Sequence, residues 1–363
     1  MSKPIRVGLL RLVDSAPVIV AEAAGLFRAR GIEVEISIEP SWSNIADKLT
    51  YGVLDAAVML PPLALAICAG LRGPKARLVV PMSLSQGGNA IVTGTGAAGG
   101  LALDGEMPRP GLHAWLRAQP AKPKFAVVHA FSTHNLLLRY WLASGGADPD
   151  RDIETVVIPP ENVVDALANG TIAGFCAGAP WGDVAERRGV GRIAIGTSAI
   201  WPFHPEKCLC VREAWAQGNP GLLQHLLGAL LLAQSRCDLP AESAGIAALL
   251  ADPNGLGLPE DASRAALPGG SGAELIRFYN REAWFPARAH ALWFLGQMRR
   301  WGWLADGTDI EGLAAQVYRP DLLAPAVIAE EVYRASDLPA LEGAAMLPML
   351  NEDAFLSEFP TGK

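Results

Sequence analysis

Residues 125–141 read FAVVHAFSTHNLLLRYW, a short apolar run that gives way within a few positions to a helical pattern. The run FAVVH has the length and composition of a buried strand. Ser132 and Thr133 precede the new apolar pattern, and either hydroxyl could cap a helix that begins there. His134 would then lie in the first helical turn, where free backbone amides and the helix dipole both favour a bound anion.

Strands and helices alternate on both sides of this junction. Strands are predicted at IRVGLL, EVEISIEP, DAAVML, ARLVVP, ETVVIPP, AGFCAG and RIAIG, with helical patterns between them. Such alternation favours parallel strands with right-handed crossovers. NIADKLTYG at 44–52 and NVVDALANG at 162–170 match at four positions with identical spacing, each after a strand that ends in proline. Two such units can be alike by chance, but we interpret them as parts of two lobes with like topology.

The predicted fold class is α/β, with two lobes and a hinged cleft between them. Lobe 1 is predicted to contain residues 1–95 and 204–363, and lobe 2 residues 96–203. The Gly-, Pro- and Ala-rich stretch at 94–124 suits a crossing between the lobes plus one helix, GLHAWLRA. From about Pro220 the pattern is mostly helical, including AELIRFYN at 273–280, and this segment would pack back on one lobe. Small ligands usually bind in such a cleft, at the carboxyl ends of the strands.

Composition excludes several classes of protein. The 363 residues carry a net charge of −7, which argues against direct nucleic-acid binding. No window of about 18 charge-free apolar residues predicts a membrane span. The five cysteines include no C-x-x-C pair, so buried reduced thiols in a reducing compartment are expected.

Sequence motifs favour binding over catalysis. G-x-S-x-G, Walker A and H-E-x-x-H are absent, and the six histidines include no pair at i,i+4 spacing. We therefore expect that the protein is not an enzyme. An enzyme that acts on a pyrimidine or a sulfonate-like ligand is the residual alternative.

Several long segments resemble the nitrate/bicarbonate-binding group of ABC-importer solute-binding proteins. The segments that carry the resemblance are LVDSAPVIVAEAAGLFRARGIEVEIS, SWSNIADKLTYGVLDAAVMLPPLALA, THNLLLRYWLASGGADPDRD, IPPENVVDALANGTIAGFCAGAPW, HPEKCL, ALWFLGQMRRWGW and VYRPDLL. The resemblance implies a two-lobe periplasmic-binding-protein-like type II fold whose hinged interlobe cleft closes on an oxyanion.

Carried over position by position, the resemblance implies a ligand-binding pocket formed by Trp42, Gln86, His134, Gly178 and Lys207. The Trp42 indole and the Gln86 amide would donate hydrogen bonds, and Gly178 would offer its backbone N–H. The His134 imidazole would add a directed donor, and in its cationic form a charge. Lys207 would balance the charge of a monovalent anion.

One position departs from the family pattern. Importer members commonly have G-E-P-W where this chain has Gly178-Ala179-Pro180-Trp181. The loss of a carboxylate favours nitrate or nitrite over bicarbonate. It also leads us to expect no metal and no cofactor, because hard cations need oxygen ligands.

The amino terminus, MSKPIRVGLLRLVDSAP, predicts a first strand instead of an export signal. Within the resemblance, a leaderless branch is similar to cytosolic nitrate/nitrite sensors, which release an RNA-binding antitermination regulator when the anion binds. The resemblance thus implies a cytoplasmic sensor of nitrate assimilation with that regulator as partner. The alternative is the solute-binding component of an importer for nitrate, nitrite or a related oxyanion.

Overall fold

The computed structural model describes residues 3–95, 111–202 and 204–327. Residues 96–110, about half of the Gly-rich stretch predicted as an interlobe crossing, and most of the predicted helix AVIAEEVYRAS lie outside these residues.

Strands and helices alternate through most of the described chain. The strands are β1 (Ile5–Leu9), β2 (Val34–Ile38), β3 (Ala56–Met59), β4 (Leu78–Ser83), β5 (Gln86–Gly87), β6 (Asn89–Gly94), β7 (Lys124–Val127), β8 (Glu154–Val157), β9 (Gly174–Gly178), β10 (Gly191–Gly196), β11 (Cys208–Arg212) and β12 (Ile276–Arg277). The helices are α1 (Ala16–Ala23), α2 (Leu26–Ala29), α3 (Trp42–Thr50), α4 (Pro61–Ala69), α5 (Gly111–Ala118), α6 (Thr133–Ser144), α7 (Val163–Ala168), α8 (Trp181–Arg187), α9 (Glu213–Gly218), α10 (Pro220–Cys237), α11 (Ser243–Ala251), α12 (Glu260–Ala266), α13 (Arg288–Arg300) and α14 (Ile310–Val317).

Two five-stranded sheets form the centres of two lobes. The first sheet has the order β2-β1-β3-β11-β4, with β1 parallel to β2 and β3, and with β11 antiparallel to its neighbours. The second has the order β10-β6-β9-β7-β8, with β7 parallel to β8 and β9, and with β6 antiparallel to its neighbours. In each sheet, the first strand that follows a crossing of the chain from the other sheet is antiparallel to its neighbours. The predicted two-lobe α/β fold class is confirmed.

The repeated nonapeptides occupy equivalent places in the two sheets. The first forms most of α3, between β2 and β3, and the second forms α7 between β8 and β9. Gly52 and Gly170 follow the two helices with φ of 77° and 68°, a backbone conformation that residues with a Cβ rarely adopt. The shared spacing thus reflects one βαβ unit used once in each lobe.

The strand pairing differs from the predicted division of the chain at one point. Strand β6 falls within residues 1–95, the range assigned to lobe 1, but it pairs with β9 and β10 in the second sheet. The first crossing between the sheets therefore lies between β4 and β6, before residue 96. The short pair β5–β12 lies at this crossing.

The predicted helix at 273–280 is wrong. Ile276 and Arg277 form β12, which pairs with β5, and three backbone amides that follow it donate to the Asp238 carboxylate. These tertiary hydrogen bonds replace those of a helix, because a strand partner and a carboxylate satisfy the same amides.

The helical carboxyl-terminal part packs back on the first lobe, as predicted. Helix α10 packs against α1 and α2, and α13 and α14 pack against the fully apolar α4. Helices α12 and α13 also reach the second lobe, where they pack against α8 and α6. Among the helices that the structure describes, none is long and apolar enough to cross a membrane.

Candidate anion-binding site

Polar residues from both lobes gather where the two sheets present their facing edges. The parallel strands β1, β2, β7 and β9 end at these edges, whereas the antiparallel β6 and β11 begin there. The residues at or next to these strand ends are Asp14, Trp42, Asn89, Thr133, His134, Gly178, Glu206 and Lys207. The topology therefore brings residues that are distant in sequence to one place.

Lys207 is at the centre of this group. Its side chain is inaccessible to solvent, and its Nζ lies 2.8 Å from Asp14 Oδ2 and 2.6 Å from Glu206 Oε1. Nζ is also 5.5 Å from the centre of the Trp42 ring. Burial disfavours the ammonium, but the charges of Asp14 and Glu206 outweigh burial and raise the pKa of Lys207. The side chain is therefore a buried cation at neutral pH.

Glu206 is held as a carboxylate by donors on both oxygens. Lys207 Nζ donates to Oε1, and Asn89 Nδ2 donates to Oε2 at 2.6 Å. Burial opposes ionisation, but the attraction of Lys207, together with smaller contributions from His134 and His204, outweighs it and lowers the pKa of Glu206 to about 2. Asn89 is the first residue of β6, so this hydrogen bond joins the second sheet to the residue beside Lys207.

His134 lies in the first turn of α6, as predicted. Ser132 caps the helix by accepting the Asn135 N–H at 3.0 Å. The imidazole is inaccessible to solvent, with Nε2 3.6 Å from Glu206 Oε1. Burial lowers the pKa of His134 to about 3, so the ring is neutral at neutral pH and supplies one N–H donor. The cationic form considered from the sequence is therefore not the form present here.

Gly178 faces the point at which the polar groups converge. A Cβ at this position would lie 3.3 Å from Asn89 Oδ1, 3.6 Å from Asp14 Oδ2 and 3.6 Å from His134 Nε2. Glycine thus keeps a side chain out of the region between these three groups.

Several buried polar atoms in the site have no hydrogen-bond partner among the described residues. The donors are Trp42 Nε1, Thr133 Oγ1 and one His134 nitrogen, and the acceptors include Asp14 Oδ1 and Asn89 Oδ1. An unsatisfied buried polar group costs about 1–3 kcal/mol, so such a concentration is typical of a site that binds a polar ligand.

Gln86 reaches this region differently from the other candidates. Its backbone forms a bridge with Pro205 and pairs with Arg277, which puts it beside the segment that carries Lys207. Its side-chain Oε1 is buried and unpaired in the described structure, but it makes no hydrogen bond to the other four candidates. Trp42, His134, Gly178 and Lys207 thus converge through side-chain or glycine contacts, and Gln86 adjoins them through its backbone.

Sequence reasoning missed the acidic residues of the site. The expectation that Lys207 balances the charge of an anion did not include Asp14 and Glu206, which already pair with it. Glu206 stands beside Lys207 in HPEKCL, and Asp14 interrupts the apolar run after the first strand. Either position could have been recognised as a charged residue in a buried setting. Among the described residues, no group of three or more His, Cys, Asp or Glu is arranged to hold a metal ion.

Two α/β lobes with a polar site between their sheets define a periplasmic-binding-protein-like fold. Residues 2–251 match the NMT1-like family, and the chain belongs to that family. It is similar to the periplasmic nitrate-binding protein NrtA of Synechocystis PCC 6803, whose crystal structure superposes with a TM-score of 0.86 at 28% identity over 98% of this chain and 97% of that one.

Curated relatives agree with this assignment. The nitrate/nitrite binding protein NrtA of Synechococcus elongatus is 32% identical over 99% of this chain and 84% of its own length. The nitrate import ATP-binding protein NrtC of Synechocystis sp. is 34% identical over 93% of this chain, which spans only 51% of NrtC. The alkanesulfonate-binding protein SsuA of Xanthomonas axonopodis shares the fold, with a TM-score of 0.63 at 18% identity.

Proposed function

We propose that this protein binds nitrate or nitrite between its two lobes and does not convert it chemically. The observation that carries the proposal is the convergence of Lys207, His134 and Trp42, each with a buried donor group, around Gly178. The NrtA relatives, which are named as nitrate/nitrite binding proteins, support this choice of ligand.

The donor set suits a small planar oxyanion. The Trp42 indole and the neutral His134 ring each offer an N–H, and Lys207 offers an ammonium group. Trp42 belongs to the first lobe and His134 to the second, so the contacts are complete only when the lobes are closed. The anion then favours the closed state by its difference in affinity for the two states.

Calorimetric titration with nitrate, nitrite, bicarbonate and sulfate tests this function. We expect binding of nitrate or nitrite, and a loss of well over tenfold in affinity for His134→Ala. The matched control is His225→Ala, because His225 is an exposed histidine on α10 and its loss should leave affinity unchanged. Failure of the wild-type protein to bind either nitrogen oxyanion would overturn the proposal.

We further propose that lobe closure on the anion releases an RNA-binding antitermination regulator of nitrate assimilation genes, in the cytoplasm. The five cysteines support this location, because all are buried free thiols, as suits a reducing compartment. A partner that recognises the open form must bind less well when the anion is present, by thermodynamic reciprocity. Co-purification of such a regulator, lost on addition of nitrate, is the expected result.

The second candidate function is that of the solute-binding component of an importer for nitrate, nitrite or a related oxyanion. It is favoured by the structural likeness to a periplasmic nitrate-binding protein. Fractionation of the native cells separates the two functions. Recovery of the protein with the cytoplasm supports the sensor, whereas recovery outside the inner membrane supports the importer component.

A further inference from the structure

Three buried charges in the site do not sum to zero. Asp14 is 3% exposed, and Glu206 and Lys207 are fully buried. Both carboxylates pair with the same ammonium, at 2.8 and 2.6 Å. When all three are ionised, their total charge is −1.

The remaining titratable groups around the site add no positive charge at neutral pH. Burial lowers the pKa of His134 to about 3 and also lowers that of His204, whose Nδ1 lies 3.8 Å from Glu206. Burial raises the pKa values of the Cys176 and Cys208 thiols above the usual range for cysteine, so both thiols are protonated. The charge of −1 is therefore that of the whole described cluster.

A monovalent anion would bring this buried total to −2. Burying one uncompensated charge away from water costs free energy, and burying two costs more. One proton taken up with the anion keeps the total at −1, the value of the unliganded site. The question is which group accepts that proton.

Asp14 is the group best placed to accept it. Both Glu206 oxygens already accept hydrogen bonds, from Lys207 and Asn89, which hold it ionised. Asp14 Oδ2 faces Lys207, but Oδ1 has no donor among the described residues. Burial raises the pKa of Asp14, and the attraction of Lys207 offsets this only in part.

We propose that nitrate enters the site together with one proton from solvent, and that Asp14 carries this proton and donates it in a hydrogen bond to the anion. The proposal rests on nitrate binding as the function of the site. Protonation turns Asp14 Oδ1 from an unpaired acceptor into a donor, while nitrate offers only acceptors. No bond of the nitrate ion changes.

The consequence is an affinity that falls with rising pH. If the binding-competent form has Asp14 protonated, the apparent dissociation constant is the intrinsic one divided by the protonated fraction. Affinity is then constant below the pKa of Asp14 in the free protein. Above that pKa it falls by up to about tenfold for each pH unit, the limit for one proton.

Calorimetric titration of the wild-type protein with nitrate measures the proton directly. Titrations at one pH in buffers that differ in ionisation enthalpy should show uptake approaching one proton per anion on the alkaline side. Nitrate binding without proton uptake would overturn this inference and leave the proposed function standing. Absence of nitrate binding at every pH would overturn both.

Asp14→Asn tests the assignment of the proton. The amide keeps the size of the side chain and is permanently neutral, so we expect nitrate binding with no proton uptake and little change with pH. The matched control, Asp165→Asn on the exposed face of α7, should keep the wild-type dependence. Persistence of uptake in Asp14→Asn, with its loss in His134→Gln, would place the proton on His134 and overturn the assignment.

Infrared difference spectroscopy keeps the assignment testable if Asp14→Asn does not fold. Addition of nitrate to the wild-type protein should produce the carbonyl band of a protonated carboxylic acid. Absence of that band, with nitrate bound, would contradict a proton on Asp14.

Discussion

The Lys207 ammonium lies 2.8 Å from Asp14 Oδ2, and this fully buried contact joins the turn after β1 to the residue before β11. Glu206 lies on the other side of the same ammonium at 2.6 Å. One cation thus compensates two buried carboxylates, and the site depends on it for stability as well as for binding.

Replacement of Lys207 by methionine should destabilise the fold by about 3–5 kcal/mol, because it leaves buried carboxylates without their cation. Urea unfolding measured at pH 7 gives the free energy of unfolding. Lys124→Met, at a half-exposed surface ion pair with Glu154, is the matched control and should cost at most about 1 kcal/mol. Equal stability of the two variants would contradict the role given to the Lys207 cation.

Replacement of Gly178 by alanine should weaken anion binding by more than tenfold and leave the fold intact. The new methyl group would lie 3.3–3.6 Å from Asn89, Asp14 and His134, close enough to occupy the region between them without a severe clash. Thermal unfolding and nitrate titration separate the two effects. The control is Gly245→Ala on α11, where a Cβ meets no atom within 4 Å. Unchanged affinity in Gly178→Ala would exclude this region as the ligand position.

Glu274 should make stability depend on pH. Its buried carboxyl accepts the Gly182 and Asp183 amides, at 3.1 and 3.0 Å, yet burial raises its pKa to about 8. Between its ordinary value near 4.5 and about 8, the folded state binds a proton that the unfolded state does not. The contribution of this group to stability therefore falls as pH rises through that window, by at most about 1.4 kcal/mol per unit.

Glu274→Gln removes this titration. The difference in unfolding free energy between wild type and variant should shift in favour of the variant as pH rises from 5 to about 8. Glu282→Gln, at an exposed position, is the control, and its unfolding free energy should change with pH in parallel with that of the wild type. A wild-type curve parallel to that of Glu274→Gln would show that this carboxyl titrates normally.

Asp238→Ala should destabilise the protein by on the order of 3 kcal/mol, since hydrogen bonds to charged groups are each worth about 1.5–3 kcal/mol. The carboxylate accepts the amides of Phe278, Tyr279 and Asn280 at 2.8, 2.9 and 2.6 Å. Denaturant unfolding measures the loss, with the exposed Asp306→Ala as control. A loss below 1 kcal/mol would mean that water replaces the carboxylate at these amides.

Local signals in the sequence were sufficient for the βα alternation and for His134. A buried strand, a capping serine and an apolar helix are adjacent in the chain, so their arrangement in α6 follows from neighbouring residues. The same holds for the paired nonapeptides, whose glycines end equivalent helices.

Contacts between distant segments account for what the sequence did not reveal. The pairing of β6 with β9 shows that β6 belongs to the second sheet. No pattern within its sequence, NAIVTG, indicates which sheet it joins. The segment at 276–280 was predicted to be helical, but β5 pairs with Ile276 and Arg277, and the Asp238 carboxylate accepts the three backbone amides that follow. Similarly, the charge of the site depends on Asp14 meeting Lys207, which only the assembled fold brings about.

A crystal structure of the protein grown with nitrate tests the central claim most directly. We predict one nitrate ion between the lobes, with its oxygens within hydrogen-bonding distance of Trp42 Nε1, His134 and Lys207, and beside Gly178. Nitrate ordered at another place, with these side chains in contact only with one another, would contradict the account.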